Sequence, residues 1–193
     1  MIPQERFDEL FGQQAYGPAQ NKFELYNMLS AVLRMVTPRV IIEIGTFRGG
    51  TLRFWREILS ISQSLLISID LNDRGFMPIV QEQFREDPRV NFVIGDSKNL
   101  ETVSVVDNML DGRLASVLFI DGRHDYDYVS SDVNNYNKFV RAGGLIILHD
   151  IIRHGVGPFK KWEEIKRRPE YAGYIEIFGK TNPCGIGILQ KIK

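Results

Sequence analysis

The sequence predicts a doubly wound α/β fold, and three observations predict it. Five short apolar runs recur along the chain, they are continuous rather than alternating, and each gives way to glycine, aspartate or histidine. Longer amphipathic stretches separate them. Continuous apolar runs suit strands covered on both faces, and strand–helix alternation suits right-handed βαβ units joined in a parallel sheet.

Taken in order, residues 1–22 are polar, with Gly12, Gly17 and Pro18, and read as a cap or flexible arm. Residues 23–35 (FELYNMLSAVLRM) have the spacing of an amphipathic helix. The five strand candidates follow: Val40–Ile44 (VIIEI), 65–69 (LLISI), 90–94 (VNFVI), 117–120 (VLFI) and 145–148 (LIIL). Helices are expected near 50–60, 76–86, 99–110 and 126–140. A further helix at 158–168 and two closing strands at 174–178 and 186–189, paired antiparallel, complete the chain.

Composition bounds the function. A length of 193 residues, 44% of them hydrophobic, fits one domain with a real core. Lys plus Arg equals Asp plus Glu at 24 each, so no electrostatic footprint for nucleic acid or an anionic membrane is expected. No apolar run approaches the roughly 20 residues of a bilayer span, and residues 1–10 have no apolar core of a signal peptide. Cys184 is the only cysteine, which excludes an intrachain disulfide and a multi-cysteine zinc cluster. A reducing cytoplasm is compatible with that. A homo-oligomer is neither indicated nor excluded.

In open α/β sheets ligands bind beyond the carboxyl ends of the strands, and the chemistry-bearing residues stand there. The first strand runs into Glu43-Ile44-Gly45-Thr46-Phe47-Arg48-Gly49-Gly50-Thr51. Its glycines permit a sharp turn and close backbone approach to a ligand. The spacing is GxxxGG, not the GxGxxG of a pyrophosphate cradle. Glu43 is a carboxylate inside a strand, costly unless paired, and a cationic ligand amine or nearby backbone would serve. Asp70 ends the second strand, where an acid suits ribose hydroxyls of either a dinucleotide or an adenosine ligand, or caps a loop. Asp96, in Gly95-Asp96-Ser97, either accepts from an adenine amino group or caps the next helix.

In this order the motifs resemble those of class I S-adenosylmethionine-dependent methyltransferases. The block Phe119-Ile120-Asp121-Gly122-x-His124-x-Tyr126-x-x-Val129-x-x-Asp132, then Gly143-Gly144-x-x-x-x-His149-Asp150-Ile151, resembles more narrowly the small O-methyltransferases of the cephalosporin-hydroxylase-like and macrocin-methyltransferase-like group. Gly17-x-x-Gln20-x-x-x-Glu24 and Gly155-Val156-Gly157 to Trp162 resemble the same set. The resemblance implies a Rossmann-like sheet of seven strands, mostly parallel with the last antiparallel. It implies one domain over 1–193, with 1–35 as cap and helix and 36–193 as the cofactor-binding core. Glu43, Gly45, Thr46, Phe47 and Gly49 would hold the methionine part of S-adenosylmethionine. Asp70 and Leu71 would lie at the ribose, Asp96 and Ser97 at the adenine, and Asp121, also cofactor-binding, at the mouth of the cofactor cleft.

Asp121 follows the fourth strand, and His149 and Asp150 follow the fifth, so two carboxylates and an imidazole should meet at one mouth. Metal-dependent catechol-type methyltransferases resemble this layout, which implies a divalent cation, Mg²⁺ or Mn²⁺, at Asp121, His149 and Asp150. An imidazole in the set shifts preference away from Mg²⁺. His124 stands where those enzymes carry a lysine base and resembles its replacement; an imidazole suits that role near neutral pH. The implied reaction is methylation of a hydroxyl on a small molecule, a sugar or natural product, with His124, Asp121 and His149 as the catalytic set. Asp132 reads as structural, and the basic residues from Arg153 to Arg168 as a solvated face.

Two other functions compete. A nicotinamide-dependent oxidoreductase is weakened by GxxxGG and by Ser130 and Asp132, rather than lysine, four residues after Tyr126 and Tyr128. A non-catalytic cofactor-binding protein would have no need of Asp121, His124, His149 and Asp150.

Overall fold

The computed structural model describes residues 2–12, 17–59, 61–152, 156–181 and 183–193. Strands β1 (Val40–Ile44), β2 (Leu65–Asp70), β3 (Val90–Ile94), β4 (Ala115–Ile120), β5 (Val140–His149), β6 (Tyr171–Ile177) and β7 (Ile186–Lys191) form one seven-stranded sheet. Its order is β3-β2-β1-β4-β5-β7-β6. The first five strands run parallel, and β7 is antiparallel to both β5 and β6. The chain steps outward from β1 to β3, then returns to lay β4 on the other side of β1. That reversal between β1 and β4 opens a crevice at the carboxyl ends of the strands.

Helices α1 (Gln4–Phe11), α2 (Lys22–Met35), α3 (Gly50–Ile58), α4 (Met77–Phe84), α5 (Leu100–Leu110), α6 (Tyr126–Tyr136) and α7 (Gly157–Ile165) cover the sheet. The pleat divides the core in two. Val40, Ile42 and Ile44 pack with residues of α5, α6 and α7, whereas Ile41 packs with residues of α1 to α4. All five β1 side chains are buried, which is why the run carries no polar alternation.

Differences from the sequence reading have local causes. The expected arm contains α1, whose Phe7 is buried with its ring centroid 5.0 Å from both Tyr26 and Phe54. Phe7, Leu10 and Phe11, at i, i+3 and i+4, carry the helical spacing there, over only two turns. The helix expected over 126–140 stops at Tyr136, where a 3-10 turn (Asn137–Phe139) leads directly into β5. β5 itself starts five residues earlier than its apolar run, because Val140 pairs with Ala115 across a register shift. The basic segment is ion-paired: Lys161 with Glu164, Lys166 with Glu163 and Glu176, and Arg168 with Glu164 and Glu170. Arg153, His154 and Gly155 lie outside the described residues. Among the described residues, no helix is long and apolar enough to cross a membrane.

Candidate active site

A cleft of about 650 Å³ lies over the ends of β1, β2, β4 and β5 and the turn after β3. Ligand pockets commonly span roughly 300–1,000 Å³. Its lining includes Gly45, Thr46, Phe47, Asp70, Leu71 and Ser97 on one side and Asp121, His124, His149 and Asp150 on the other. The groups expected to bind cofactor and those expected to do chemistry therefore share one space. Glu43, Gly49 and Asp96 stand outside the lining.

The β1–α3 turn is built by backbone. Gly45 has φ 98°, and a Cβ there would come within 2.1 Å of the Asp121 carbonyl oxygen. The end of β1 thus approaches the end of β4 too closely for any side chain. Asp121 N–H donates to the Ile44 carbonyl at 2.8 Å and Gly45 N–H to the Ile69 carbonyl at 2.9 Å. Asp70 then holds the turn: its Oδ2 accepts from Thr46 N–H and Phe47 N–H, both at 2.9 Å, and its Oδ1 from Asn72 N–H at 2.7 Å. Phe47 takes a left-handed φ of 48° and meets Phe76 edge to face at 5.2 Å, with the Arg48 guanidinium over both rings. These two aromatics and Arg74 rim the Asp70 side of the cleft.

Glu43 lies beneath the cleft. It is 0% exposed, and its Oε2 accepts from the Ser68 hydroxyl at 2.6 Å. The Ser68 oxygen is in turn 2.7 Å from the Thr46 hydroxyl, which belongs to the lining. Burial, against the pull of that Ser68 bond, pushes the Glu43 carboxyl up to about 8. The costly carboxylate inferred from sequence is thus met by protonation and a hydroxyl relay. Asp96 accepts from Lys98 N–H at 2.9 Å and from the Tyr128 hydroxyl at 3.4 Å. Gly49, with φ 76°, makes room for Val80, 2.9 Å from where a Cβ would stand. Asp132 is buried below Gly122, and burial pushes its carboxyl up to about 7.

The other side of the cleft is a network of charge. His149 Nδ1 lies 3.0 Å from Asp121 Oδ1 and 3.1 Å from Asp150 Oδ2. Ionised carboxylates only accept, so Nδ1 carries the proton in this arrangement. Burial opposes a charged ring, yet the facing Asp121 and the bonds to both carboxylates raise the His149 pKa well above the usual imidazole value. Burial works in the other direction on Asp150, and the bond and charge of His149 overcome it to hold that carboxyl low. His124 is 44% exposed at the mouth, with Nε2 3.0 Å from the same Asp150 oxygen. Asp121, His124 and Asp150 each present a ligand atom within 4.8 Å of the others. His149 enters by contacting both carboxylates.

Gln20 was visible in sequence only as part of a resemblance. It is buried, donates through Nε2 to Asp121 Oδ2, and accepts from the Thr51 hydroxyl at 2.7 Å. Glu24, four residues on in the first turn of α2, accepts from the N–H groups of Gly179 and Gly185 at 2.8 and 3.0 Å. Together they tie the start of α2 to the cleft and to the β6–β7 loop. The spacing was legible, but Asp121, Gly179 and Gly185 lie more than 100 residues away.

The family described as Methyltransferase domain matches residues 42–151, from within β1 to just past Asp150. The chain belongs to that family. Among curated proteins, the uncharacterized protein R132 of Acanthamoeba polyphaga mimivirus is 34% identical over 120 residues, covering 56% of this chain and 50% of that protein. The chain thus spans about half the length of the curated relative it matches. Solved methyltransferases share the fold at low identity. TomG of Streptomyces achromogenes, an O-methyltransferase of tomaymycin synthesis in complex with SAM, has TM-score 0.70 and 16% identity over 100% of both chains. An O-methyltransferase of Bacillus cereus in complex with SAH has TM-score 0.69 and 19% identity, covering 99% of this chain and 93% of that one. MycE of the mycinamycin pathway, in complex with Mg, SAH and mycinamycin VI, has TM-score 0.67 and 15% identity, covering 97% of this chain and 54% of that one.

Proposed function

We propose that this methyltransferase uses S-adenosylmethionine to methylate a hydroxyl of a small molecule, a sugar or natural-product scaffold. One observation carries the reading: the polar ends of β1, β2, β4 and β5 open into a single cleft, with Asp70 on one side and His124 on the other. Residues 36–193 would form the cofactor-binding core and residues 1–35 its cap. TomG, MycE and the Bacillus cereus enzyme support the reading by fold and by what they bind. A cytoplasmic setting, in which the lone thiol stays reduced, goes with it.

When bound, the cofactor supplies a methyl group already activated on a sulfonium. The protein must seat it, align an acceptor oxygen and remove that oxygen's proton. Gly45, Thr46 and Phe47 would seat the methionine part, Asp70 and Leu71 the ribose, and Ser97 the adenine edge, with Glu43, Gly49 and Asp96 acting from behind the lining. His124, exposed and oriented by Asp150, takes the proton, and base catalysis of this kind is worth roughly 10²–10⁴-fold. Asp121, His149 and Asp150 would suit a divalent cation, because a half-buried and a buried carboxylate converge on one imidazole. A cation there would lower the pKa of a bound hydroxyl.

Calorimetric titration tests the reading. S-adenosylhomocysteine should bind and NAD should not; the reverse result would make the protein an oxidoreductase. Binding of S-adenosylhomocysteine without methyl transfer to any hydroxyl in a broad acceptor panel would favour a non-catalytic role.

A further inference from the structure

We propose that Cys184 joins His149 and Asp150 in a metal site that prefers a thiophilic divalent cation, Zn²⁺, over Mg²⁺. This deepens the preceding reading by naming the cation, and rests on it only for what the metal would serve. The placement comes from backbone pairing. His149, the last residue of β5, stands opposite Ile186, the first of β7. Beyond the strand ends the two segments stay joined, with Ile151 N–H donating to the Gly185 carbonyl and Ile152 N–H to the Cys184 carbonyl, both at 3.3 Å. Cys184 is therefore held beside the β5 turn, where Asp150 adopts a left-handed φ of 59°.

A ring nitrogen of His149, a carboxylate oxygen of Asp150 and the Cys184 sulfur all lie within 4.8 Å of one another. All three residues line the cleft, so a cation could reach them from solvent. Donors around tetrahedral zinc stand about 3.3–3.8 Å apart, given bonds of about 2.0–2.3 Å. A limit of 4.8 Å leaves about 1 Å of side-chain movement to that spacing. His149 is 5% exposed, and its Nε2 is buried without a hydrogen-bond partner among the described residues. Asp121, 3.0 Å from Nδ1, supplies the carboxylate support found behind metal-bound imidazoles, while Asp150 turns to the cation with Nε2. Donor type decides the metal. Mg²⁺ requires oxygen ligands in near-octahedral array, whereas thiolate, imidazole and carboxylate form a zinc set.

Metal-free protein titrated with Co²⁺ gives a readout independent of methyl transfer. The wild type should develop the near-ultraviolet thiolate-to-cobalt absorption, and Cys184→Ser should lack it while keeping its circular dichroism. Cys184→Ala serves the same purpose should the serine variant not fold. Zn²⁺ should displace Co²⁺ from the wild type, Mg²⁺ at equal concentration should not, and Cys184→Ser should bind Zn²⁺ at least tenfold more weakly, since even supporting residues cost about 10–100-fold. Absence of the thiolate band, or equal displacement by Mg²⁺, overturns the proposal. S-adenosylhomocysteine titrated into the same samples separates the two readings: binding without the band removes the zinc site alone, and the band without binding removes the methyl-transfer assignment alone.

Discussion

The two sides of the cleft are built differently. On the β1–β2 side, a glycine at φ 98° and backbone N–H groups converging on Asp70 fix the geometry. On the β4–β5 side, Asp121, His124, His149 and Asp150 hold one another through contacts of 3.0 to 3.1 Å. The first side is a shape, made of turns and backbone N–H groups gathered on one carboxylate. The second is a charge network whose members alter each other's proton affinity. A side that only binds gains from rigidity, whereas a side that moves a proton needs coupled ionisable groups. The two meet at the Gly45–Asp121 contact.

Mutations on each side should therefore fail in different ways. The largest effect is expected for His124→Ala, which should lower the methyl-transfer rate by roughly 10²–10⁴-fold with S-adenosylhomocysteine affinity nearly unchanged. Single-turnover kinetics beside calorimetry would check this, and an unchanged rate would remove His124 as the base. Gly45→Ala should break the comparison itself, because it forces a side chain against the Asp121 carbonyl at a positive φ. A loss of about 2–4 kcal/mol in unfolding free energy is expected, and denaturant titration would measure it. A loss below about 0.5 kcal/mol would mean the two strand ends are not tightly joined.

Asp70→Ala should be selective in the opposite sense to His124→Ala. It frees the Thr46 and Phe47 amides, and cofactor affinity should fall by roughly 10–100-fold, the worth of charge-assisted hydrogen bonds. Equal affinity in the variant would refute a role for Asp70 on the ribose side.

The smallest and most diagnostic effect belongs to Glu43. Its carboxyl titrates near 8 when folded, against an ordinary value near 4.5. Between those values the folded state holds a proton that the unfolded state has released. Its contribution is thus fully present below about pH 4.5 and is lost as pH rises through 8. Glu43→Gln should flatten that decline, leaving the variant the more stable at pH 9 by about 1–3 kcal/mol. Thermal melts at several pH values would show it, and parallel curves for the two proteins would place a charged Glu43 in the fold.

How much was legible depended on how local the cause was. β1 to β4 and the helices between them follow from continuous apolar runs and amphipathic spacing, which act within a few residues. α1 was missed because its Phe7, Leu10 and Phe11 stripe is only two turns long and its burial depends on Tyr26 and Phe54. Asp70, Asp121, His124, His149 and Asp150 were legible as strand-end residues, and the cleft gathers all of them. Glu43 was legible as a problem, a carboxylate in an apolar strand, but its solution by Ser68 on the neighbouring strand was not.

By itself the sequence determined which segments become strands, in what order, and that their carboxyl ends carry acids and imidazoles, because hydrophobic periodicity and glycine freedom are properties of neighbours along the chain. Only the tertiary structure decided which of those groups touch: Gln20 on Asp121, His149 between two carboxylates, and Cys184 beside Asp150. Strand order and register place residues far apart in sequence within a few ångströms, and at that range hydrogen bonds and charge govern what each group can do.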